Sequence, residues 1–291
     1  MENYTIEKFY DLKTFTLSYI VFDEVTKDSV VIDCVLDYEA NSGKCSYKSL
    51  DALINFIESK KLNVHYILET HAHADHLSGA DYLKKKYTNA KIAIGSEITA
   101  VQDVFKGVFN LEDLVCDGSQ FDHLFKDGEK VEAGSIKFDV IATPGHTPAC
   151  VSYLFNDDSK TFVFTGDALF IPDYGTGRCD FPAGSAEELY DSIKNKLYSL
   201  SNETIIYVGH DYKPGGRELR FETSIKESKE ENIRLREDTS EHDFVTFRKE
   251  RDETLSTPKL LIPSIQVNIN GGKLPGCENN GVSYLKIPLS D

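Results

Sequence analysis

The chain has 291 residues, 40% of them hydrophobic, and a formal net charge of −16. That length and apolar content supply one large core, the acidic surface disfavours binding to phosphate backbones, and no apolar run approaches transmembrane length. The polar, acidic opening from Met1 to Glu7 lacks a signal-peptide pattern, and six scattered cysteines without a Cys-x-x-Cys pair read as free thiols of a cytoplasmic protein.

In chain order, residues 15–22 and 29–32 read as two strands joined by the polar turn 23–28. Asp33 closes the second; a turn cap and a role near a site are equally open to it. Residues 47–60 place Leu50, Leu53, Ile54 and Ile57 at helical spacing, with Ser46 as the expected N-cap. Residues 64–68 form a short apolar run that reads as a buried strand. It leads into Thr70-His71-Ala72-His73-Ala74-Asp75-His76. Residues 77–87 continue as a helix with a solvated Lys84-Lys85-Lys86 face, 91–94 as a strand, and Ser96-Glu97 opens another helix. Residues 107–127 lack a clear period and read as a long loop or lid, with His123 on the surface. Residues 136–143 form a strand ending in Pro144-Gly145-His146-Thr147, and 150–155 with 160–165 form a hairpin about 156–159, ending in Gly166-Asp167. Ser185-Ala186-Glu187-Glu188 is a capping box opening a helix to about Leu197. Residues 204–208 form a strand ending in Gly209-His210-Asp211-Tyr212, and two charged helices follow over 224–237 and 240–251, with His242 exposed. From Thr257 the chain carries Pro258, Pro263, Pro275 and Pro288 and reads as extended covering structure.

A pattern recurs at the strand ends. His71 to His76, His146, Asp167 and His210 each follow a strand beside glycine, proline or a small residue that permits a sharp turn. Imidazole and carboxylate are ordinary ligands of zinc and non-haem iron. A lone histidine is more often a satisfied structural residue; four potential ligands within six positions are not explained that way. In layered α/β folds, ligands gather where strand ends converge.

His-x-His-x-Asp-His, Pro-Gly-His-Thr, Thr-Gly-Asp and Gly-His-Asp together resemble the metallo-β-lactamase superfamily. The resemblance implies an α/β fold, the αβ/βα sandwich of two mixed sheets face to face with helices outside and metal at one edge. Residues 1–291 would be a single domain of this fold, with 240–291 as a C-terminal extension packed on it. By the same resemblance His71, His73 and His146 match one metal position, Asp75, His76 and His210 a second, and Asp167 the bridging carboxylate. The segment Asp173-Tyr174-Gly175-Thr176-Gly177-Arg178-Cys179-Asp180-Phe181 is similar to the persulfide dioxygenase family, and 247–288 to its bacterial subgroup of β-lactamase-like hydrolases. That family implies one Fe(II) per chain, held by His71, His146 and Asp167, with His73, Asp75, His76 and His210 orienting ligands and water. It implies oxidation of glutathione persulfide by O₂ to sulfite and glutathione. Arg178 would fork a glutathione carboxylate, and Asp180 would take the ammonium or position Arg178, their mutual salt bridge being the structural alternative. Tyr212, Arg217 and Arg234 are further candidates for that pocket, and Cys179 reads as packing. The alternatives are a dinuclear Zn²⁺ hydrolase similar to glyoxalase II, a lactonase, and a non-catalytic sulfur or metal sensor. No nucleic-acid or membrane partner is expected, and a homodimer is the assembly left open.

Overall fold

Period-two alternation of apolar side chains builds two facing sheets. The structure, a computed structural model, describes residues 4–157 and 159–289; Met1–Asn3 of the opening stretch and Asp158 of the hairpin turn lie outside the described residues. The first half runs β1 (Tyr4–Tyr10), β2 (Leu17–Asp23), β3 (Asp28–Ile32), β4 (Val35–Glu39), β5 (Lys44–Ser46), α1 (Lys48–Lys60), β6 (Asn63–Leu68), β7 (Leu77–Ser78), α2 (Ala80–Lys86), β8 (Lys91–Gly95), α3 (Ile98–Phe109) and β9 (His123–Phe125). The second runs β10 (Lys130–Ala133), β11 (Ile136–Ala142), β12 (Val151–Asn156), β13 (Thr161–Phe164), α4 (Ala186–Asp191), β14 (Ile205–Tyr207), β15 (Glu222–Ser224), α5 (Ile225–Glu231), α6 (Glu241–Glu253) and α7 (Leu261–Asn268).

One sheet has the order β1-β2-β3-β6-β8-β9, and the other runs β10 to β15 in sequence order. Both are mixed: β3, β6, β8 and β9 are parallel, as are β13 and β14, while the other neighbours are antiparallel. Tyr19, Val21, Val30, Ile32, Tyr66 and Leu68 face the second sheet's Phe138, Tyr153, Phe155 and Phe164 in one buried cluster. The alternate residues Ile20, Phe22, Val31, Ile67 and Ile92 face Leu50, Leu53, Leu83, Val101 and Phe105 of the flanking helices. The first sheet is thus covered by helices, and Leu189, Ile225 and Phe244 of α4, α5 and α6 pack in the cluster that holds the second sheet, in the expected αβ/βα sandwich. Buried tyrosines also bond across the sheets, Tyr153 Oη donating to Glu69 O and Tyr19 Oη to Val208 O, each at 2.7 Å.

Several local expectations are corrected. Tyr4–Tyr10, for which no element is expected, forms β1 and pairs along its length with β2. Ser46 ends β5 and does not cap α1; Asp37 Oδ2 of β4 accepts from Ser49 N at 2.9 Å instead, a tertiary carboxylate satisfying the helix start. The 77–87 helix is split into β7 and α2, because Leu77 and Ser78 pair with β4. Residues 107–109 of the expected 107–127 lid belong to the end of α3 and residues 123–125 form β9, which leaves a shorter connection between the two. The 224–237 helix ends at Glu231. The tail is not simply extended: α7 accommodates Pro263 in its first turn, where a missing N–H costs nothing.

The capping box at Ser185 is half formed. Its Oγ accepts from Glu188 N at 3.1 Å, but its own N–H goes to Gly145 O at 2.8 Å, docking α4 on the His146 turn. Gly145, at φ 133°, lets α4 approach; a Cβ there would lie 2.3 Å from Leu189 N. All six cysteines are free, and Cys179 is buried with its thiol pushed up by burial. No helix among the described residues is long and apolar enough to cross a membrane.

Candidate metal centre

His71 follows β6, His146 follows β11 and Asp167 follows β13, so loops from both sheets converge at one edge. His71 Nε2 lies 3.9 Å and His146 Nε2 3.7 Å from Asp167 Oδ2. Donors sit about 2.1 Å from a bound zinc or comparable ion, so two on one ion are at most about 4.2 Å apart. Both spans fit.

Hydrogen bonds decide which ring nitrogens are free. His146 Nδ1–H donates to Arg178 O at 2.7 Å, which leaves the lone pair on Nε2. Thr70 Oγ1 donates to Asp33 Oδ2 at 2.8 Å and therefore accepts from His71 Nδ1, 3.0 Å away. His71 Nε2 is then also a lone-pair nitrogen. Burial, reinforced by the imidazoles of His73 and His146, holds His71 well below the ordinary histidine range. Asp33 accepts from Thr70 N at 2.7 Å, as a turn cap would, and through the Thr70 hydroxyl it also orients the candidate ligand His71.

The other donors are arranged differently. His73 Nε2 is turned to Asp33 Oδ1 at 3.1 Å and Glu69 Oε2 at 3.2 Å. Burial opposes charge there, but Asp33 and Glu69 hold His73 well above its ordinary range. His76 Nδ1 lies 3.4 Å from Asp75 Oδ2, and His210 Nε2 lies 3.4 Å from the same atom and 3.3 Å from Asp167 Oδ1. His71 Nε2, His73 Nδ1, His76 Nε2 and His210 Nδ1 are buried without a hydrogen-bond partner. Orphaned buried nitrogens call for a ligand, and imidazole with carboxylate suits zinc or iron. Donor atoms of His71, His146 and Asp167 lie within 4.8 Å of one another, as do those of His73, Asp75 and His76.

A cavity of about 940 Å³ opens onto His146, Asp167, Asp75 and His76. Of the expected substrate residues, Arg178, Tyr212 and Arg234 line it; Asp180 and Arg217 do not. Arg178 forks onto Asp180, Nε to Oδ1 and Nη2 to Oδ2 at 2.5 Å each, and Nη1 donates to Ser256 O at 2.9 Å. Arg217 is clamped between Asp173 and Asp211, with Nε 2.5 Å from Asp173 Oδ2 and Nη1 2.7 Å from Asp211 Oδ2, and so braces a loop beside the cavity. Arg234 has no carboxylate partner among the described residues; its guanidinium lies 4.4 Å over the Phe247 ring. Burial, then Arg248 and Arg251, lowers its pKa. Tyr212 stacks on His210 at 5.5 Å and on Tyr174 at 4.6 Å.

Sequence reasoning missed Glu69, Thr70 and the cavity-lining Phe247, Arg248 and Arg251 of α6. The last three had a legible signal, since Arg251 lies one helical turn from both Phe247 and Arg248, at i+4 and i+3. Gly177 explains how this wall closes on the site: a Cβ there would lie 2.0 Å from Asp167 O.

A family model described as the metallo-beta-lactamase superfamily matches residues 13–210. The chain is 50% identical to Glyoxylase B2 of Dictyostelium discoideum, over 98% of this chain and 97% of that one. It is 31% identical to the mitochondrial persulfide dioxygenase ETHE1 of Bos taurus, over 71% of this chain and 68% of that one. Among solved structures, ETHE1 from Myxococcus xanthus superposes with a TM-score of 0.73 at 30% identity, covering 92% of this chain and 100% of that one. All seven candidate ligands fall inside the matched span, their loops converge at one edge of the sandwich, and the chain belongs to the metallo-β-lactamase superfamily.

Proposed function

We propose that the chain is an iron-dependent persulfide dioxygenase that oxidises glutathione persulfide with O₂ to sulfite and glutathione. One observation carries the reading. His71, His146 and Asp167 present two oriented imidazole lone pairs and a carboxylate to one point. Two histidines and one carboxylate are the donor set that leaves positions open on non-haem iron. Similarity to ETHE1 supports the same reading, and six free thiols suit a reducing cytoplasm.

Iron held by this set supplies the O₂ chemistry and a position for the terminal sulfur of the persulfide. The chain's own residues do the rest. Arg234 and the exposed Arg251 lack carboxylate partners among the described residues and receive the carboxylates of the thiol. Tyr174 and Tyr212 wall the cavity and exclude water beside the metal group. Asp33 through Thr70, and the carbonyl of Arg178, keep His71 and His146 in the binding tautomer. In the overall reaction the sulfane sulfur is oxidised and O₂ reduced. The S–S bond breaks, water supplies the remaining oxygen of sulfite, and the released thiolate takes a proton.

A dinuclear zinc hydrolase is the second reading. His76 Nε2 and His210 Nδ1 are orphaned as well, and a relative bears the name Glyoxylase B2. Metal analysis of protein purified without added metal separates the two. About one iron per chain is expected, and His76→Ala should retain most of it. Two zincs per chain, with activity restored by zinc alone, would overturn the dioxygenase reading, as would complete iron loss in His76→Ala.

A further inference from the structure

The loop that carries His71 to His76 forms no helix or strand of its own. Its backbone groups therefore need partners from elsewhere. Asn268, the last residue of α7, is 4% exposed and supplies them. Its Oδ1 accepts from Ser78 N at 2.7 Å. Its Nδ2 donates to His73 O and to His76 O, each at 2.8 Å. One amide thereby fixes three backbone groups that bracket Asp75 and His76. The same end of the loop is tied from inside, where Ser78 Oγ donates to Glu69 Oε1 at 2.5 Å and Glu69 Oε2 faces His73 Nε2 at 3.2 Å. Loop and α7 are distant in sequence, and Asn268 lies beyond the span matched by the family, which ends at residue 210.

We propose that Asn268 is a positioning residue of the metal centre, through which the C-terminal segment holds the ligand loop in its binding geometry. The proposal rests on the reading that this loop binds a metal, and on neither the identity of that metal nor the reaction. Among the described residues, no other side-chain amide bonds to these three backbone groups. A carboxylate can still accept from Ser78 N but sets an oxygen against two carbonyls. An alanine leaves two buried C=O groups and one N–H without partners, a loss that is relieved by moving the loop. Either change displaces Asp75 and His76 relative to His71, His146 and Asp167. Packing of α7 is separable from this contact, because Ile265 is fully buried in the helix-side core and its apolar side chain forms no hydrogen bond to the loop.

Co(II) is the probe. The full chain is loaded with Co(II), its visible absorption is recorded, and release is followed after adding excess EDTA. Unfolding midpoints of the metal-free proteins are measured alongside. Asn268→Asp and Asn268→Ala should release Co(II) at least about 10-fold faster than wild type, by analogy with the typical effect of removing groups that orient metal ligands. Their absorption bands should shift. Ile265→Val should lower the midpoint and leave the spectrum and the release rate unchanged. Wild-type spectrum and release in Asn268→Asp would overturn the proposal, and this same-sized variant carries the test if Asn268→Ala does not fold. Equally fast release from Ile265→Val at a matched loss of midpoint would overturn it too, by reducing Asn268 to helix packing. If the wild-type chain takes up no Co(II), the metal reading falls and the proposal with it. If Co(II) behaves as expected but no persulfide is oxidised, only the proposed reaction falls.

Discussion

Replacing Asp33 by asparagine exchanges one oxygen for an NH₂ group and should reverse the relay that sets the His71 tautomer. Asp33 is buried and has a φ of 50°, a left-handed conformation that asparagine also tolerates, so the backbone is preserved. The amide oxygen is required at the Oδ1 position, where Thr70 N at 2.7 Å and His73 Nε2 at 3.1 Å both donate. The NH₂ group then replaces Oδ2 and donates to Thr70 Oγ1. The hydroxyl proton turns to His71 Nδ1, and the ring proton moves to Nε2, the atom that should bind metal. Losing a charge-assisted hydrogen bond costs about 1.5–3 kcal/mol. Removing a group that orients a metal ligand weakens affinity about 10- to 100-fold, or about 1.4–2.7 kcal/mol. The two estimates agree, and metal affinity should fall within that range. Anaerobic competition with a chromophoric chelator measures it. Thr70→Val should reproduce the loss and Thr70→Ser should not. Wild-type affinity in Asp33→Asn, or in Thr70→Val, would refute the relay.

Arg234→Gln should raise KM for glutathione persulfide about 10- to 150-fold with kcat little changed and iron content normal, the loss of one charge-assisted contact made equally in ground and transition states; an unchanged KM would remove Arg234 from the substrate site. Burial of Asp28 works against charge, but hydrogen bonds from His65, Ser135 N and Asn63 outweigh it and lower its pKa from 3.8 to about 2. A depressed carboxylate pKa contributes stability above its unfolded value and loses it as pH falls through the folded one. The gap in denaturant midpoint between wild type and Asp28→Asn should therefore be full above 3.8 and close toward about 2; a gap that stays constant across that window would contradict the assignment.

What could be read without coordinates was whatever is local. His71, His73, Asp75 and His76 lie within one short loop, and His146, Asp167 and His210 each follow a strand with a small residue beside them, so the donor set stands out along the chain. The sandwich follows from the same strand rhythm together with the resemblance those motifs carry. What stayed hidden depends on neighbours distant in sequence. Arg178, Arg217 and Arg234 are the same residue type. Asp180, two residues on, is already the alternative partner of the first in the sequence, but only the fold determines that Asp173 and Asp211 take the second and an aromatic face the third. Ser46 resembles a cap until Asp37 arrives from β4. α7 is masked by Pro263, and Asn268 is one polar residue in a proline-rich tail until the fold sets it against the metal loop.

Oxygen uptake separates the proposed oxidation from hydrolysis. Iron-loaded protein given glutathione persulfide in an oxygen electrode should consume O₂ and form sulfite in equal amounts, and Asp167→Asn should do neither. No oxygen uptake from the iron-loaded protein, together with rapid hydrolysis of a glutathione thioester by the zinc-loaded form, would contradict the account and assign the chain to the hydrolases of its superfamily.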